Sequence, residues 1–327
     1  MMRGDRRGGL GAVACLLALA APLAGCRRPA EPPRRRPAIR LGVGTRNGDF
    51  DVMGRALAQT MQSGEPAYEV EIVANAGAVS ILDALEEGKS DCGFSYANVA
   101  YEGYVGRLPD EPGPLSHLRG VALVEITPLC FVVRRGAQIA GVRDLPHRSL
   151  AVGPRGSGSY RAALLVLDAF GVDPRALDLQ VEPFRASIDR MRAGALDGYF
   201  ILAGQPADLI PNLLRDDAEI LPLEGTTMDA LRERYPFLHP AVIPAGTYRR
   251  QRAAVRTVGV ESLLLCREDV EAAHVRRVTT DWFLTLTSLA KEGRVTDAVS
   301  ASLASATPIP LHPGASEFYR SRQVQFR

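Results

Sequence analysis

At two turns rich in small residues, the spacing of hydrophobic positions changes from that of a strand to that of a helix. A short apolar strand over 149–153 is followed by a Gly/Ser turn over 154–159, after which apolar residues recur at helical spacing. This spacing predicts a helix that ends before Gly171. Residues 39–61 predict the same order of strand, turn (GTRNG) and helix. We therefore expect two strand–turn–helix units, whose helix N-termini favour anions.

Neither turn is a nucleotide-binding motif. GPRGSGS lacks the lysine of a phosphate loop, and GVGTRNG lacks the third glycine of GxGxxG. The alternative for each is a tight turn that only starts a helix. Because one copy lies in each half of the chain, we expect two lobes that face one ligand.

A second sequence pattern also occurs twice: a helix, a glycine, two residues, an aspartate and a buried strand. The copies lie over 81–94 and 188–200, and their aspartates, Asp91 and Asp197, are interpreted as turn formers. Alternating strands and helices predict an α/β fold with a mixed sheet flanked by helices in each lobe. Two apolar runs, Leu129–Arg134 and Val255–Cys266, have the length and place of crossover strands that form a hinge.

The N-terminus has the pattern of an export signal. Basic residues precede an apolar core over 10–23, which is too short to span a membrane as a mature helix. The segment ends in Leu-Ala-Gly-Cys26, which resembles a bacterial lipobox. We expect a signal peptide over 1–25, lipidation of Cys26 and a Pro/Arg linker over 26–37. A stray cysteine after an ordinary signal is the alternative.

Composition is that of a globular protein, with 46% hydrophobic and 23% charged residues. The formal net charge of +2 equals the charge of residues 1–25, so no basic field for nucleic acid is expected. The histidines never fall at ligand spacing, and we expect no metal and no cofactor. Cys92, Cys130 and Cys266 are expected to be buried thiols, with a Cys130–Cys266 disulfide as the alternative and Cys92 uncrosslinked.

Five stretches resemble the TAXI-type solute-binding subunits of tripartite TRAP transporters, over roughly 39–319. They are GVGTRNG, NVAYEGY, VGPRGSGS, YPFLHPAVIPAGTY and PIPLHPGA. The resemblance implies a type II periplasmic binding protein fold, in which two α/β lobes close on a small carboxylate such as glutamate. It implies a first lobe over 38–133 and 260–327, and a second lobe over 134–259.

Departures from the family pattern fall where ligand contacts are expected. The first turn continues as NGDFD where a Gly-Gly and paired aromatics are usual, and Tyr96–Asn98 stands where Gln-Ser-Asp is frequent. Arg46 replaces a small residue. The identity of the ligand therefore stays open.

Candidate ligand-binding residues lie on the two turns and at strand ends. They are Thr45, Arg46, Asn47, Tyr96, Asn98, Ser157, Gly158, Ser159, Tyr199 and Gly204. An arginine can hold a carboxylate with two hydrogen bonds, although a solvated loop arginine is the alternative for Arg46. Helix capping is the alternative for Ser157 and Asn98. At least one of Tyr96 and Tyr199 is expected to be a core aromatic.

The sequence thus predicts an extracytoplasmic solute-binding lipoprotein without catalytic activity, which delivers a small organic anion to a TRAP-type permease. A lipoprotein that presents its ligand to a membrane receptor is the alternative. An enzyme on a similar fold, such as porphobilinogen deaminase, needs a cysteine-attached cofactor and an acidic base, and no such pair is evident. The sequence does not distinguish the inner from the outer membrane.

Overall fold

The structure is a computed structural model that describes residues 37–46, 48–109, 112–204, 218–292 and 301–325. The expected signal peptide, Cys26, the linker up to residue 36 and the candidate Asn47 lie outside the described residues. Residues 36–327 form one compact unit.

Strands and helices alternate over most of this unit. The strands are β1 (Ala38–Val43), β2 (Glu69–Ala74), β3 (Cys92–Tyr96), β4 (Leu118–Arg134), β5 (Ser149–Ala151), β6 (Asp178–Gln180), β7 (Gly198–Leu202), β8 (Ala218–Leu221), β9 (Leu238–Ile243) and β10 (Val255–Arg267). The helices are α1 (Asp49–Ser63), α2 (Ala78–Glu86), α3 (Ala97–Tyr104), α4 (Gly158–Ala169), α5 (Phe184–Arg192), α6 (Thr226–Arg234), α7 (Ala272–Lys291), α8 (Ala301–Ala304) and α9 (Pro313–Gln325). The predicted elements are present, with ends shifted by a few residues.

The sheet consists of two similar halves joined by two long strands. In one half the order is β2-β1-β3-β10, and in the other it is β6-β5-β7-β4. In each half the first three strands are parallel and the fourth is antiparallel. We call β1–β3 with α1–α3 the first lobe, and β5–β8 with α4 and α5 the second lobe. The predicted α/β fold with mixed sheets flanked by helices is confirmed.

β4 and β10 are the crossing strands. They pair antiparallel from Leu118 opposite Arg267 to Pro128 opposite Gly259. Beyond this ladder, Leu129–Arg134 pairs with β7 and β8 of the second lobe. β4 therefore belongs to both halves of the sheet, whereas β10 pairs with β3, β4 and β9. The lobe boundaries at 133/134 and 259/260 stay a proposal.

The repeated sequence pattern that contains Asp91 and Asp197 corresponds to a repeated structure. Asp91 accepts a hydrogen bond from the backbone N–H of Arg40 in β1 at 2.7 Å, and Asp197 accepts one from Ser149 in β5 at 3.1 Å. The glycine before each aspartate has a positive φ, 70° at Gly88 and 73° at Gly194. Both aspartates thus fix the turn before a central strand, as their interpretation as turn formers requires.

The cysteine prediction is corrected by the structure. Cys92 and Cys266 form a disulfide, whereas Cys130 is a buried thiol. Cys92 in β3 lies directly opposite Cys266 in β10, with Cα atoms 3.9 Å apart. Cys130 lies on the part of β4 that pairs with the second lobe, so it is remote from Cys266 in the sheet. The disulfide is typical of oxidising compartments.

The C-terminal helices pack back on the first lobe, as predicted. Trp282 of α7 is fully buried, with its ring centroid 5.2 Å from that of Phe94 in β3. Thr285 of α7 donates a hydrogen bond to Thr60 of α1 at 2.8 Å. Among the described residues, no helix combines the length and apolar character needed to cross a bilayer.

Candidate functional site

Four helices begin along the line where the lobes meet. Each follows the carboxyl end of a parallel strand: α1 follows β1, α2 follows β2, α3 follows β3 and α4 follows β5. In open α/β sheets, ligands bind outside the carboxyl ends of the strands. The strand order therefore aims four helix N-termini, with their partial positive charge, at one region.

Three hydrogen bonds cross between the lobes at this line. The backbone N–H of Gly204 donates to Asp49 Oδ2 at 3.1 Å, and that of Val79 donates to the carbonyl of Gly156 at 3.1 Å. Asn98 Nδ2 donates to the carbonyl of Gly158 at 3.1 Å. The lobes are thus in direct contact, and this arrangement is a closed one.

Tyr96 is the aromatic side chain at the contact between the lobes. A Cβ atom at Gly158 would lie 2.2 Å from Cδ2 of Tyr96, so the ring packs directly on this glycine. On the other side, the ring centroid of Phe50 lies 4.7 Å away. Burial, followed by the nearby charges of Asp49 and Glu125, raises the pKa of Tyr96 well above its ordinary value. The hydroxyl therefore stays protonated and can donate a hydrogen bond.

The turn before α4 provides backbone donors. Ser157 Oγ accepts from the N–H of Tyr160 at 3.1 Å, and Ser159 Oγ accepts from the N–H of Leu202 at 2.9 Å. The hydroxyl of Ser157 thus caps the helix, while that of Ser159 ties α4 to β7. Within the described residues, nothing accepts from the N–H groups of Gly158 and Ser159. Two adjacent donors at a helix N-terminus are suited to an oxyanion.

Crossing strands carry buried polar side chains behind Tyr96. Ser262 of β10 lies opposite Tyr96 on one side and Glu125 on the other. The hydroxyls of Thr127 and Ser262 are 2.8 Å apart, and Thr127 Oγ1 donates to Glu125 Oε1 at 3.3 Å. These residues were not predicted from the sequence, although polar residues inside an apolar strand were a usable signal.

A buried ion pair also joins the lobes. Arg161 of α4 donates through Nε to Glu102 Oε2 of α3 at 2.7 Å, and the two side chains are 15% and 7% exposed. Burial raises the pKa of Glu102, and the charge of Arg161 opposes that rise. The pair was not predicted: Glu102 lies in the NVAYEGY stretch, but nothing in the sequence pairs it with Arg161.

The Arg161→Met variant is expected to lower the free energy of unfolding by about 2–3 kcal/mol at neutral pH, because it leaves a buried carboxylate without its cation. Without the arginine the pKa of Glu102 rises further, so the loss shrinks as the pH falls and the carboxyl becomes protonated. Urea denaturation of the variant at several pH values measures both effects.

A matched control removes an exposed arginine. Arg175 pairs with Asp173 on the surface, where water screens the pair, so Arg175→Ala should change the free energy of unfolding far less than Arg161→Met does. The double variant Glu102→Gln/Arg161→Met should recover part of the loss. Equal losses in the two arginine variants would contradict the role given to the buried pair.

Other candidates from the sequence lie in different surroundings. Thr45 and Arg46 are exposed, and no described residue forms an ion pair with Arg46. Gly204 and Asn98 take part in the contacts between the lobes. No group of histidine, cysteine or acidic residues in the described part of the chain has the arrangement of a metal site.

Tyr199 requires a correction. It is 1% exposed and packs in the core of the second lobe with Ile188 and Met191, where its hydroxyl has no hydrogen-bond partner among the described residues. Tyr199 is the second residue after Asp197, whereas Tyr96 is the fifth after Asp91. Because side chains alternate along a strand, the two tyrosines point to opposite faces of their sheets. Tyr199 does not reach the contact between the lobes.

Comparison with known proteins identifies the family. Residues 41–322 match the NMT1-like family, and the chain belongs to it. The fold is similar to that of the periplasmic aliphatic sulphonate binding protein SsuA from Escherichia coli, with a TM-score of 0.53 and 17% identity over 87% of this chain and 83% of that one. The alkanesulfonate-binding protein SsuA from Xanthomonas axonopodis pv. citri, bound to MOPS, gives a TM-score of 0.48 and 15% identity over 89% and 93%. The similarity to the Escherichia coli protein, at 17% identity, shows the fold alone.

Proposed function

We propose that this protein is an extracytoplasmic solute-binding lipoprotein that holds a small organic anion between its lobes and delivers it to a TRAP-type permease. The observation that carries the proposal is the pair of unaccepted N–H groups of Gly158 and Ser159, placed where four helices begin. The finer assignment to the TAXI-type subunits rests on the sequence motifs.

Electrostatics favours an oxyanion at the turn before α4. A helix N-terminus stabilises an anion by about 0.3–1 kcal/mol when exposed and by up to about 2 kcal/mol when partly buried. Carboxylates and the sulfonates named for the SsuA proteins are both oxyanions that such donors can hold. We therefore include both in the proposed ligand class.

The carboxylates of Asp49 and Glu125 orient the ligand. Asp49 accepts from the N–H of Gly204 at the contact between the lobes, and Glu125 lies opposite Ser262, which itself lies opposite Tyr96. Their negative charge repels an anionic group at that end of the site and favours a neutral group or an ammonium. An amino acid, with its carboxylate at Gly158 and its ammonium toward Asp49, fits this distribution of charge.

The cysteines support a binding protein over the enzyme considered as a rival. Cys92 and Cys266 are bonded to each other, and Cys130 is buried in the core of the second lobe. Each cysteine of the described part is therefore engaged or remote from the contact between the lobes. The disulfide also supports an oxidising, extracytoplasmic location.

The binding proposal is tested by a thermal-shift screen of amino acids, dicarboxylates and alkanesulfonates, followed by calorimetry with the full-length chain. Arg46→Ala is expected to weaken binding of the ligand found by at least tenfold, about 1.4 kcal/mol, because it removes a cation from the first turn. Arg175→Ala is the control, since Arg175 is an exposed arginine beyond the C-terminal end of α4, outside both turns. A screen in which no anionic compound raises the melting temperature would contradict the proposal.

The lipid anchor is tested separately. Cys26→Ser is expected to release the protein from membranes, because a serine cannot form the thioether to the lipid. Membrane fractionation and the mass of the N-terminal peptide measure the effect. Retention of the serine variant in the membrane fraction would refute anchoring through Cys26 and leave the binding proposal intact.

A further inference from the structure

A second concave surface lies on the second lobe. It is a cavity of about 610 Å³. Its charged lining residues are Arg135, Glu219, Arg249, Arg250 and Arg252. Four guanidinium groups and one carboxylate thus line one opening.

This cavity is separate from the contact between the lobes. Arg135 follows the last residue of β4, whereas Leu129 near the start of the β4–β7 ladder pairs with Leu202, two residues before Gly204. Six residues of strand at about 3.3 Å each place the two regions about 20 Å apart, at opposite ends of the ladder. A ligand in one region cannot occupy the other.

Three of these arginines have no acidic partner among the residues that the structure describes. In the described part of the chain, no carboxylate forms an ion pair with Arg135, Arg249 or Arg252. Nε of Arg135 donates to the backbone carbonyl of Ala218 at 3.2 Å, which fixes this side chain at the wall. Guanidinium groups that line one cavity repel one another, and a multivalent anion relieves the repulsion.

The loop that carries three of the arginines is held in place from inside. Tyr248, directly before Arg249, is 1% exposed. Gln251 Nε2 lies 2.9 Å from the carbonyl of Pro244 and 3.0 Å from that of Ala253, so its amide closes the loop on itself. The guanidinium groups are therefore presented from a fixed backbone, so the loop loses less conformational entropy when a ligand binds.

We propose that this cavity binds the phosphate groups of a multivalent anion. A guanidinium presents a planar set of donors that matches two phosphate oxygens at once. A single carboxylate would leave most of the positive charge unpaired, whereas a diphosphate carries enough charge and enough oxygens for several arginines. The proposal is independent of the ligand held between the lobes.

Isothermal titration of the full-length chain with inorganic pyrophosphate tests this site. We expect saturable binding that weakens by at least tenfold in Arg249→Ala/Arg252→Ala. Arg256→Ala is the control, because Arg256 is a nearby exposed arginine that pairs with Glu224 outside the cavity, and its removal should leave binding unchanged. Urea denaturation of all variants verifies that each is folded.

A second arm distinguishes a free phosphate compound from a lipid headgroup. Co-sedimentation is measured with vesicles of phosphatidylglycerol and phosphatidylcholine, using the Cys26→Ser chain so that no acyl chain contributes. Loss of sedimentation in the double arginine variant would assign the phosphate to a headgroup, and pyrophosphate binding alone would assign it to a soluble compound. Absence of saturable binding in both arms, or equal losses in Arg256→Ala, would overturn the proposal.

Discussion

Gly158→Ala is expected to hold the lobes apart and to weaken ligand binding by tenfold to a hundredfold. A Cβ atom at this position would lie 2.2 Å from Cδ2 and 2.7 Å from Cγ of Tyr96, far inside van der Waals contact. Overpacking of this kind costs about 1–3 kcal/mol, and the apparent affinity falls with the population of the closed state. Small-angle scattering should show a larger radius of gyration, and calorimetry with the identified ligand should show the weaker binding.

Two controls separate closure from folding. Gly141→Ala adds the same methyl group where no atom lies within 4 Å, so compactness and affinity should be unchanged. Tyr96→Ala/Gly158→Ala removes the ring that the methyl meets, so its radius of gyration should return to that of the parent protein. A Gly158→Ala variant as compact and as tightly binding as the parent would show that this contact does not define the closed state.

Removal of the disulfide in Cys92→Ala/Cys266→Ala is expected to lower the free energy of unfolding by several kcal/mol. The bond links residues separated by 174 positions, and the chain-entropy model assigns about 5 kcal/mol to a loop of this size. Urea denaturation followed by circular dichroism measures the difference.

The reductant provides the internal control for this prediction. Dithiothreitol should destabilise the parent protein toward the level of the double alanine variant and leave that variant unaffected. Cys130 is the same in both proteins, so any effect of its thiol cancels. A parent protein whose denaturation midpoint is the same with and without reductant would show that the crosslink contributes nothing to stability.

Local patterns predicted the repeated parts of this fold. The repeated pattern around Asp91 and Asp197 was recognisable from the sequence. Its glycine with positive φ and its aspartate that accepts from a backbone N–H both lie in one short segment. The disulfide was not predictable in the same way. Its partners depend on the register between β3 and β10, which are distant in the chain, and three cysteines in apolar strands look alike in the sequence.

Part of the candidate site could be located from the sequence for a related reason. The two turns and Asn98 lie at the ends of strands, and helix N-terminal signals are local. Tyr199 was expected at the end of its strand, as Tyr96 is. The strand β7 continues to Leu202, so Tyr199 lies inside it, and its side chain points to the opposite face of the sheet from that of Tyr96. Glu102 and Arg161 meet only when α3 and α4 come together across the lobes, which no segment of sequence specifies by itself.

The crossing strands make the two lobes inseparable. A gene cut within β4 would leave the first half of the sheet without β10 and the second half without an intact β4, and the exposed edges would pair with other chains. Proteolytic nicking of the hinge would therefore unravel the whole unit instead of releasing a stable half. Any engineered sensor built on this scaffold has to insert its reporter in surface loops and leave both crossing strands continuous.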